Sequence, residues 1–218
     1  MSKAGKVASR KICIIGASAG VGLECVREAL ARGHQVVTLS RTIDALPDDP
    51  GLTALQGNAL KPEDLRSAID GADAILICLG LGASRKPTTL FSDFAKVLKA
   101  IEPEISDKIV INLSGFGAAE SLHYYGWFRG LLFRLFIGGI YLDKSVLDTS
   151  LQRSRLNWII VRPGLLTNRT PAGPARVMAN YQPGMTVGSI SRRAVAKFMI
   201  DQAEHPTCLH TTPALSGR

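Results

Sequence analysis

The chain has 218 residues, 46% hydrophobic and 20% charged, with 26 Lys and Arg against 18 Asp and Glu for a net charge of +8. That length and composition fit one globular domain and exclude collagen-like, disordered and disulfide-framework chains. The positive balance favours anionic partners (nucleotide phosphates, nucleic acid or an acidic surface) without choosing among them.

Lys11–Ile15 (KICII) is a short apolar run that stops at glycines, which predicts a buried strand. Gly20–Arg32 carries Val21, Cys25, Ala29 and Leu30 at helical spacing, and Gly33 fits the end of that helix. Gln35–Leu39 is a second β-branched run and Leu52–Gln56 a weaker third. Pro62 opens a helix through Ile69, with proline in its first turn. Ala74–Leu79 (AILICL) is a fourth strand, and Pro87–Ile101 a helix with Phe91, Phe94, Val97 and Leu98 on one face. Lys108–Leu113 and Trp158–Val161 are the fifth and sixth strands. Ser191–Ala203 is a closing helix with Ser191 as its N-cap. This alternation predicts an α/β fold: a Rossmann-type, doubly wound parallel sheet with helices on both faces, in a single domain spanning 1–218. The irregular stretches 115–139 and 165–188 follow the ends of strands five and six. In an open α/β sheet that is where ligands bind, so both are expected to shape a pocket.

The cysteines Cys13, Cys25, Cys78 and Cys208 form no CxxC pair and read as buried free thiols in a reducing compartment. Lys3, Lys6, Arg10 and Lys11 precede an apolar run in the manner of a short signal peptide, but that run reads better as a strand feeding a glycine loop. Trp127–Leu142 is interrupted by Arg129 and Arg134 and is shorter than the ~20 apolar residues a membrane span needs. The expectation is a cytoplasmic protein with no membrane span.

Gly16-Ala17-Ser18-Ala19-Gly20-Val21-Gly22 lies between the first strand and the first helix. Glycines there allow a tight turn and close approach of the backbone to a pyrophosphate at a helix N-terminus. A purely structural turn is the competing reading. An NAD site usually has Asp or Glu at the end of strand two, gripping the ribose. Here that end reads Leu39-Ser40-Arg41-Thr42, and the first carboxylate is Asp44. Ser40 can donate to a phosphate and Arg41 can clamp one, which favours NADP(H) over NAD(H). Asn58, with Ala59, follows strand three and can face adenine. Leu79, Gly80 and Gly82 follow strand four, where small residues let a dinucleotide pass.

Together these residues resemble the short-chain dehydrogenase/reductase superfamily. The fit is best to its atypical single-domain NAD(P)H-binding branch, which includes biliverdin-IXβ/flavin reductases and NmrA-like proteins. Gly16 to Gly22 has the superfamily's GxxxGxG spacing, and Asn58 stands where the family usually has Asp. Ser114 looks like the serine ending strand five, and Asp143-Lys144 with Leu156–Gly164 looks like the "DK…LxWTIVRPG" segment, with Pro163 and Gly164 at its end. Ile190–Ala196 resembles the family's "ISRxDVA" helix. The resemblance implies a Rossmann fold and NAD(P)H, and leaves the substrate open.

The superfamily reduces carbonyls with Ser, Tyr and a Lys four residues after the Tyr. Ser114 is in place, but Lys144 follows Tyr141 by three residues. One missing residue turns the side chain by roughly 100°, so one of the two departs from the family position. His123, with an ordinary pKa near 6.5, is another proton donor after strand five. The aromatic, basic stretch from Tyr124 to Tyr141 includes Tyr125, Trp127, Phe128, Phe133 and Phe136. It reads as a core helix, as a pocket wall for a flat anionic substrate, or as a partner or membrane surface. The expected activity is hydride transfer from NADPH to a flat conjugated acceptor such as a flavin or quinone. An NmrA-like NADP(H) sensor without turnover is the alternative, and a carbonyl reductase or epimerase using Tyr141 and Lys144 a further one. The expected partner is a small-molecule substrate, with no nucleic acid, because the basic residues are dispersed. A monomer is the expected state.

Overall fold

The computed structural model describes residues 8–82, 88–116, 142–171, 173–179, 181, 185 and 187–217. The elements in chain order are β1 (Lys11–Ile15), α1 (Gly20–Ala31), β2 (Gln35–Ser40), β3 (Leu52–Gln56), α2 (Pro62–Ile69), β4 (Ala74–Ile77) and α3 (Leu90–Ala100). A 3-10 turn at Glu102–Ile105 leads to β5 (Ile109–Leu113). Helix α4 is described over 142–153. Then come β6 (Asn157–Pro163), β7 (Leu165–Thr167), β8 (Arg176–Met178), β9 (Ser189–Ser191), α5 (Arg192–Glu204) and β10 (Ala214–Ser216).

Eight strands form one sheet in the order β3-β2-β1-β4-β5-β6-β10-β8, and β7 pairs with β9 in a second, two-stranded sheet. The pairs are parallel except β8, which runs antiparallel to β10. β1 is central: Ile14 stands beside Thr38 of β2 and Leu76 of β4. Strand alternation divides the core between the two faces. Ile12 and Ile14 pack with α1 and α5 through Cys25, Val26, Val195 and Met199. Cys13 and Ile15 pack with α2, α3 and α4 through Leu65, Phe94, Leu98, Leu147 and Leu151. This is the doubly wound, single-domain α/β sheet that the alternation of elements predicts.

The local signals hold where they are local. Pro62 opens α2, and the Ser191 hydroxyl caps α5 by accepting from Ala194 N at 3.1 Å. Several boundaries move. β4 ends at Ile77 rather than Leu79, although Cys78 N still donates to Ile15 O at 2.8 Å; β6 runs Asn157–Pro163 rather than Trp158–Val161; and α3 begins at Leu90 rather than at Pro87, a residue outside the described ones. The N-terminus of α3 is capped from a distance: Asp143 on α4 accepts from Phe91 N at 2.9 Å and Ser92 N at 3.0 Å. Helices α1 and α5 are joined by Arg32, which reaches Glu28, Asp201 and Glu204, while His34 Nε2 lies 2.8 Å from Glu204 Oε1. Cys13, Cys25 and Cys78 are buried free thiols, whereas Cys208 is only half-buried. No helix among the described residues is long and apolar enough to cross a membrane.

Candidate functional site

The chain winds from β1 outward to β3, then returns to β4 on the other side of β1. That reversal opens a crevice at the carboxyl ends of β1 and β4, the position at which open α/β sheets hold ligands. The glycine loop lies in it. Gly16 has φ +84°, donates to Leu39 O at 2.9 Å, and would place a Cβ 2.7 Å from Cys78 O. Gly22, in the first turn of α1, would place a Cβ 2.2 Å from Gly16 O. Only glycine lets helix and loop close to this distance. Gly20 has φ +62°, and a Cβ there would stand 3.9 Å from Arg192 Nε. Ala17 is buried in the loop and Val21 in the helix, with Ser18 and Ala19 between them. The N-terminus of α1 has no side-chain cap and no acidic residue in its first turn. Its outward N–H groups therefore suit a phosphate.

At the end of β2, Ser40 is buried and its Oγ accepts from Ala17 N at 2.8 Å, which ties the loop to the strand. Arg41 is exposed, and its guanidinium makes no ion pair among the described residues. At the end of β3, Asn58 Oδ1 accepts from Leu60 N at 3.0 Å, and its exposed amide still offers a ligand the NH2 donors and one oxygen lone pair. Ala59 is buried beside it, and beyond β4 Leu79 is half-buried while Gly80 and Gly82 are exposed.

A buried polar cluster stands at the ends of β5 and β6. Asn112 Nδ2 donates to Asp148 Oδ1 at 2.9 Å, and Ser114 Oγ donates to Asp148 Oδ2 at 2.8 Å. Arg162 Nη2 reaches the same Oδ2 at 3.1 Å, and both Arg162 and Asp148 are fully buried. Burial pushes the Asp148 carboxyl up, while Arg162, Ser114 and Lys144 pull it down, with burial the larger effect. Three donors converging on one carboxyl suit its ionised form. With the Ser114 proton directed at Asp148, the hydroxyl has lone pairs left to offer a ligand. Lys144 lies one turn before Asp148 on α4, half-buried, with Nζ 5.1 Å from the centroid of the Phe91 ring. Burial pushes its ammonium below the ordinary lysine range, and the Asp148 charge opposes that. Gly164, after Pro163, would place a Cβ 1.9 Å from Gly188 O, so the chain after β6 lies tightly against the approach to β9.

The described residues thus bring the glycine loop and the ends of β2, β3 and β4 together at one crevice. Ser114, Lys144, Asp148 and Arg162 form a second group on β5, α4 and β6. Tyr141, His123 and the aromatic stretch from Tyr124 lie outside the described residues, as does most of 115–139. Sequence reasoning missed Asp148, Asn112 and Arg162. Two signals were available: an arginine inside the apolar run WIIVRP demands a partner, and an aspartate four residues after Lys144 shares its helix face. Burial also holds the Cys13 thiol at about 12 and pushes Cys25 up, so neither is a nucleophile.

A family model described as NAD(P)H-binding matches residues 16–206. The chain is 27% identical over 201 residues to an uncharacterised sugar epimerase of Bacillus subtilis, covering 87% of this chain and 86% of that one. An anaerobilin reductase from Escherichia coli O157:H7 superposes with a TM-score of 0.76 at 21% identity, covering 95% of this chain and 97% of the other. A short-chain dehydrogenase/reductase from Veillonella parvula, solved in complex with NADP, gives a TM-score of 0.74 at 19% identity over 95% and 94%.

Proposed function

The chain belongs to the NAD(P)H-binding family, and from that premise we propose that it is an NADPH-dependent oxidoreductase delivering a hydride to a flat conjugated acceptor such as a flavin, quinone or bilin. The observation that carries the reading is the crevice itself. Gly16 and Gly22 leave a cradle that a Cβ would fill, the N-terminus of α1 is uncapped, and β2 ends in exposed Arg41 with no carboxylate before Asp44. These residues fit a dinucleotide carrying a 2′-phosphate. The E. coli anaerobilin reductase and the NADP complex from V. parvula support the same direction.

Each residue group has its own task in this reading. The glycine loop and α1 hold the diphosphate, Arg41 grips the 2′-phosphate, and Asn58 and Ala59 flank the adenine. Leu79, Gly80 and Gly82 leave room for the dinucleotide to pass, and Pro163 and Gly164 bound the nicotinamide end. Bound NADPH supplies the reducing equivalent. Ser114, held by Asp148, accepts a hydrogen bond from the ligand and orients it. Lys144 supplies the proton at Nζ, made easier to release by burial. Acceptors that carry N–H or O–H donors suit such a serine better than simple ketones do.

The test is NADPH consumption, followed by its absorbance, with panels of flavins, quinones and bilins against aldehydes and ketones. Turnover confined to the conjugated panel supports the proposal. A second reading is an NADP(H)-binding sensor without turnover. It is favoured by one specific observation: the residue four before Lys144 is Ile140, not a tyrosine. Tight nucleotide binding with no consumption across both panels would select it. Turnover of aldehydes that is lost in Tyr141→Phe would select a carbonyl reductase or epimerase instead.

A further inference from the structure

Helix α3 starts without a cap of its own. Thr89, at its N-cap position, makes no side-chain bond to the helix, and the first N–H groups need partners. Leu90 N donates to Thr88 Oγ1 at 3.0 Å and Asp93 N to Thr89 O at 2.8 Å. The two between them, Phe91 N and Ser92 N, donate to Asp143 on α4. Those are the groups that an N-cap side chain normally serves, and a carboxylate there also meets the positive end of the helix. Asp143 is buried and lies 52 positions from Phe91, so it fastens the start of α3 to the start of α4.

Lys144 is the next residue, turned by about 100° around α4. Its Nζ lies over the Phe91 ring, 5.1 Å from the centroid, within the reach of about 6 Å at which the negative face attracts an ammonium. Phe91 thus receives two adjacent residues of α4, Asp143 on its N–H and Lys144 on its ring. The ring is 2% exposed and packs in the core with Phe94 and Leu147, so it is the fixed partner and the amine the placed one. The titratable groups that face Nζ among the described residues are Asp148 on its own helix and Cys78 after β4, and both favour the ammonium against burial. Arg162 on β6 lies behind Asp148, at 3.1 Å, and on α3 Asp93 and Lys96 pair with each other at 2.8 Å. Cys78 is also the residue on which Gly16 and Gly22 close. Nζ therefore stands at the seam between the glycine crevice and the Asp148 cluster.

Resting on the reading of Lys144 as proton donor, we propose that Asp143 and Phe91 are positioning residues for it: Asp143 fixes the start of α3 against α4, and the Phe91 ring so held carries Nζ at the seam. Burial eases release of the proton, and the ring face keeps it on Nζ until it is needed.

The test is the pH profile of Lys144 acetylation by acetic anhydride, read by mass spectrometry with exposed Lys99 in the same digest as reference. It compares the wild type with Phe91→Leu, Phe91→Tyr, Asp143→Asn and the double variant Phe91→Leu with Asp143→Asn. Loss of the ring face disfavours the ammonium, so the Lys144 midpoint falls by about half to one pH unit in Phe91→Leu. Phe91→Tyr keeps the ring and the midpoint of the wild type. Asp143→Asn turns one acceptor into a donor, frees the start of α3 and gives a similar fall. The double variant falls no further than Phe91→Leu. A polyfluorinated phenylalanine at position 91 keeps the shape while weakening the negative face, and it lowers the midpoint even if Phe91→Leu fails to fold. A midpoint unchanged in Phe91→Leu and in the fluorinated protein would overturn the placement of Nζ by the ring. An additive fall in the double variant would overturn the mount, because Asp143 would then act by its charge alone. The profile needs neither nucleotide nor acceptor, so a wild type that fails to bind in a fluorescence titration with NADPH would instead overturn the proton-donor reading on which the proposal rests.

Discussion

Replacing Asp148 with alanine is expected to be among the most destabilising changes in the chain. The carboxylate meets Ser114 at 2.8 Å, Asn112 at 2.9 Å and Arg162 at 3.1 Å, and neither Asp148 nor Arg162 has any exposure. Removing it takes from the buried Arg162 guanidinium the carboxylate that it reaches at 3.1 Å, and breaking a buried pair in this way costs about 3–5 kcal/mol. For a domain whose whole stability is about 5–15 kcal/mol, that is about a fifth or more of the total. At roughly 2–4 °C per kcal/mol for a chain of this size, the midpoint falls by about 6–20 °C. The double variant Asp148→Leu with Arg162→Met buries no charge and recovers most of the loss. Urea unfolding monitored by tryptophan fluorescence gives both numbers by linear extrapolation. A cost below about 1 kcal/mol for Asp148→Ala would refute the view that this pair anchors the ends of β5 and β6. So would a double variant no more stable than the single one.

Three further outcomes are expected. Gly22→Ala drives a Cβ to 2.2 Å from Gly16 O, so it lowers nucleotide affinity by about tenfold or more in the same titration, although alanine is the better helix former by about 1 kcal/mol. Because burial lowers the Lys144 pKa, the unfolded chain holds a proton that the folded one has lost between that lowered value and the ordinary 10.5. Stability therefore rises with pH across that window, and urea midpoints against pH show Lys144→Met to flatten the rise. Of the four cysteines, half-buried Cys208 is alkylated in the native protein, while Cys13, with its thiol at about 12, is labelled only after unfolding, as mass spectrometry of timed reactions will show.

What the sequence makes legible is what short-range chemistry decides. KICII followed by glycines, Pro62 at a helix start and the Ser191 hydroxyl three residues before Ala194 N each specify their element within a few positions. β7, β8, β9 and β10 are three residues each and have no period to read. β10 exists because Leu215 lies beside Pro163 of β6 and Val177 of β8, partners far away in the chain. The site divides in the same way. The glycine loop is one continuous string, so its residues are visible together. Asp148 meets Asn112 across 36 positions and Ser114 across 34, and Arg192 meets Asn168 across 24, contacts that only the fold brings about. Ser40 is a mixed case: its place at the end of β2 is legible, but its hold on Ala17 N depends on how loop and strand pack.

In the proposed function the crevice binds a dinucleotide and Arg41 reads its 2′-phosphate. The deciding measurement is equilibrium titration of the wild type and Arg41→Ala with NADPH and NADH. One charge-assisted phosphate contact is worth about 1.5–3 kcal/mol, so the wild type should prefer NADPH by about 10- to 100-fold. Arg41→Ala should lose that preference while keeping its affinity for NADH. Equal binding of the two nucleotides by the wild type would contradict the role of Arg41, and binding of neither would contradict the account as a whole.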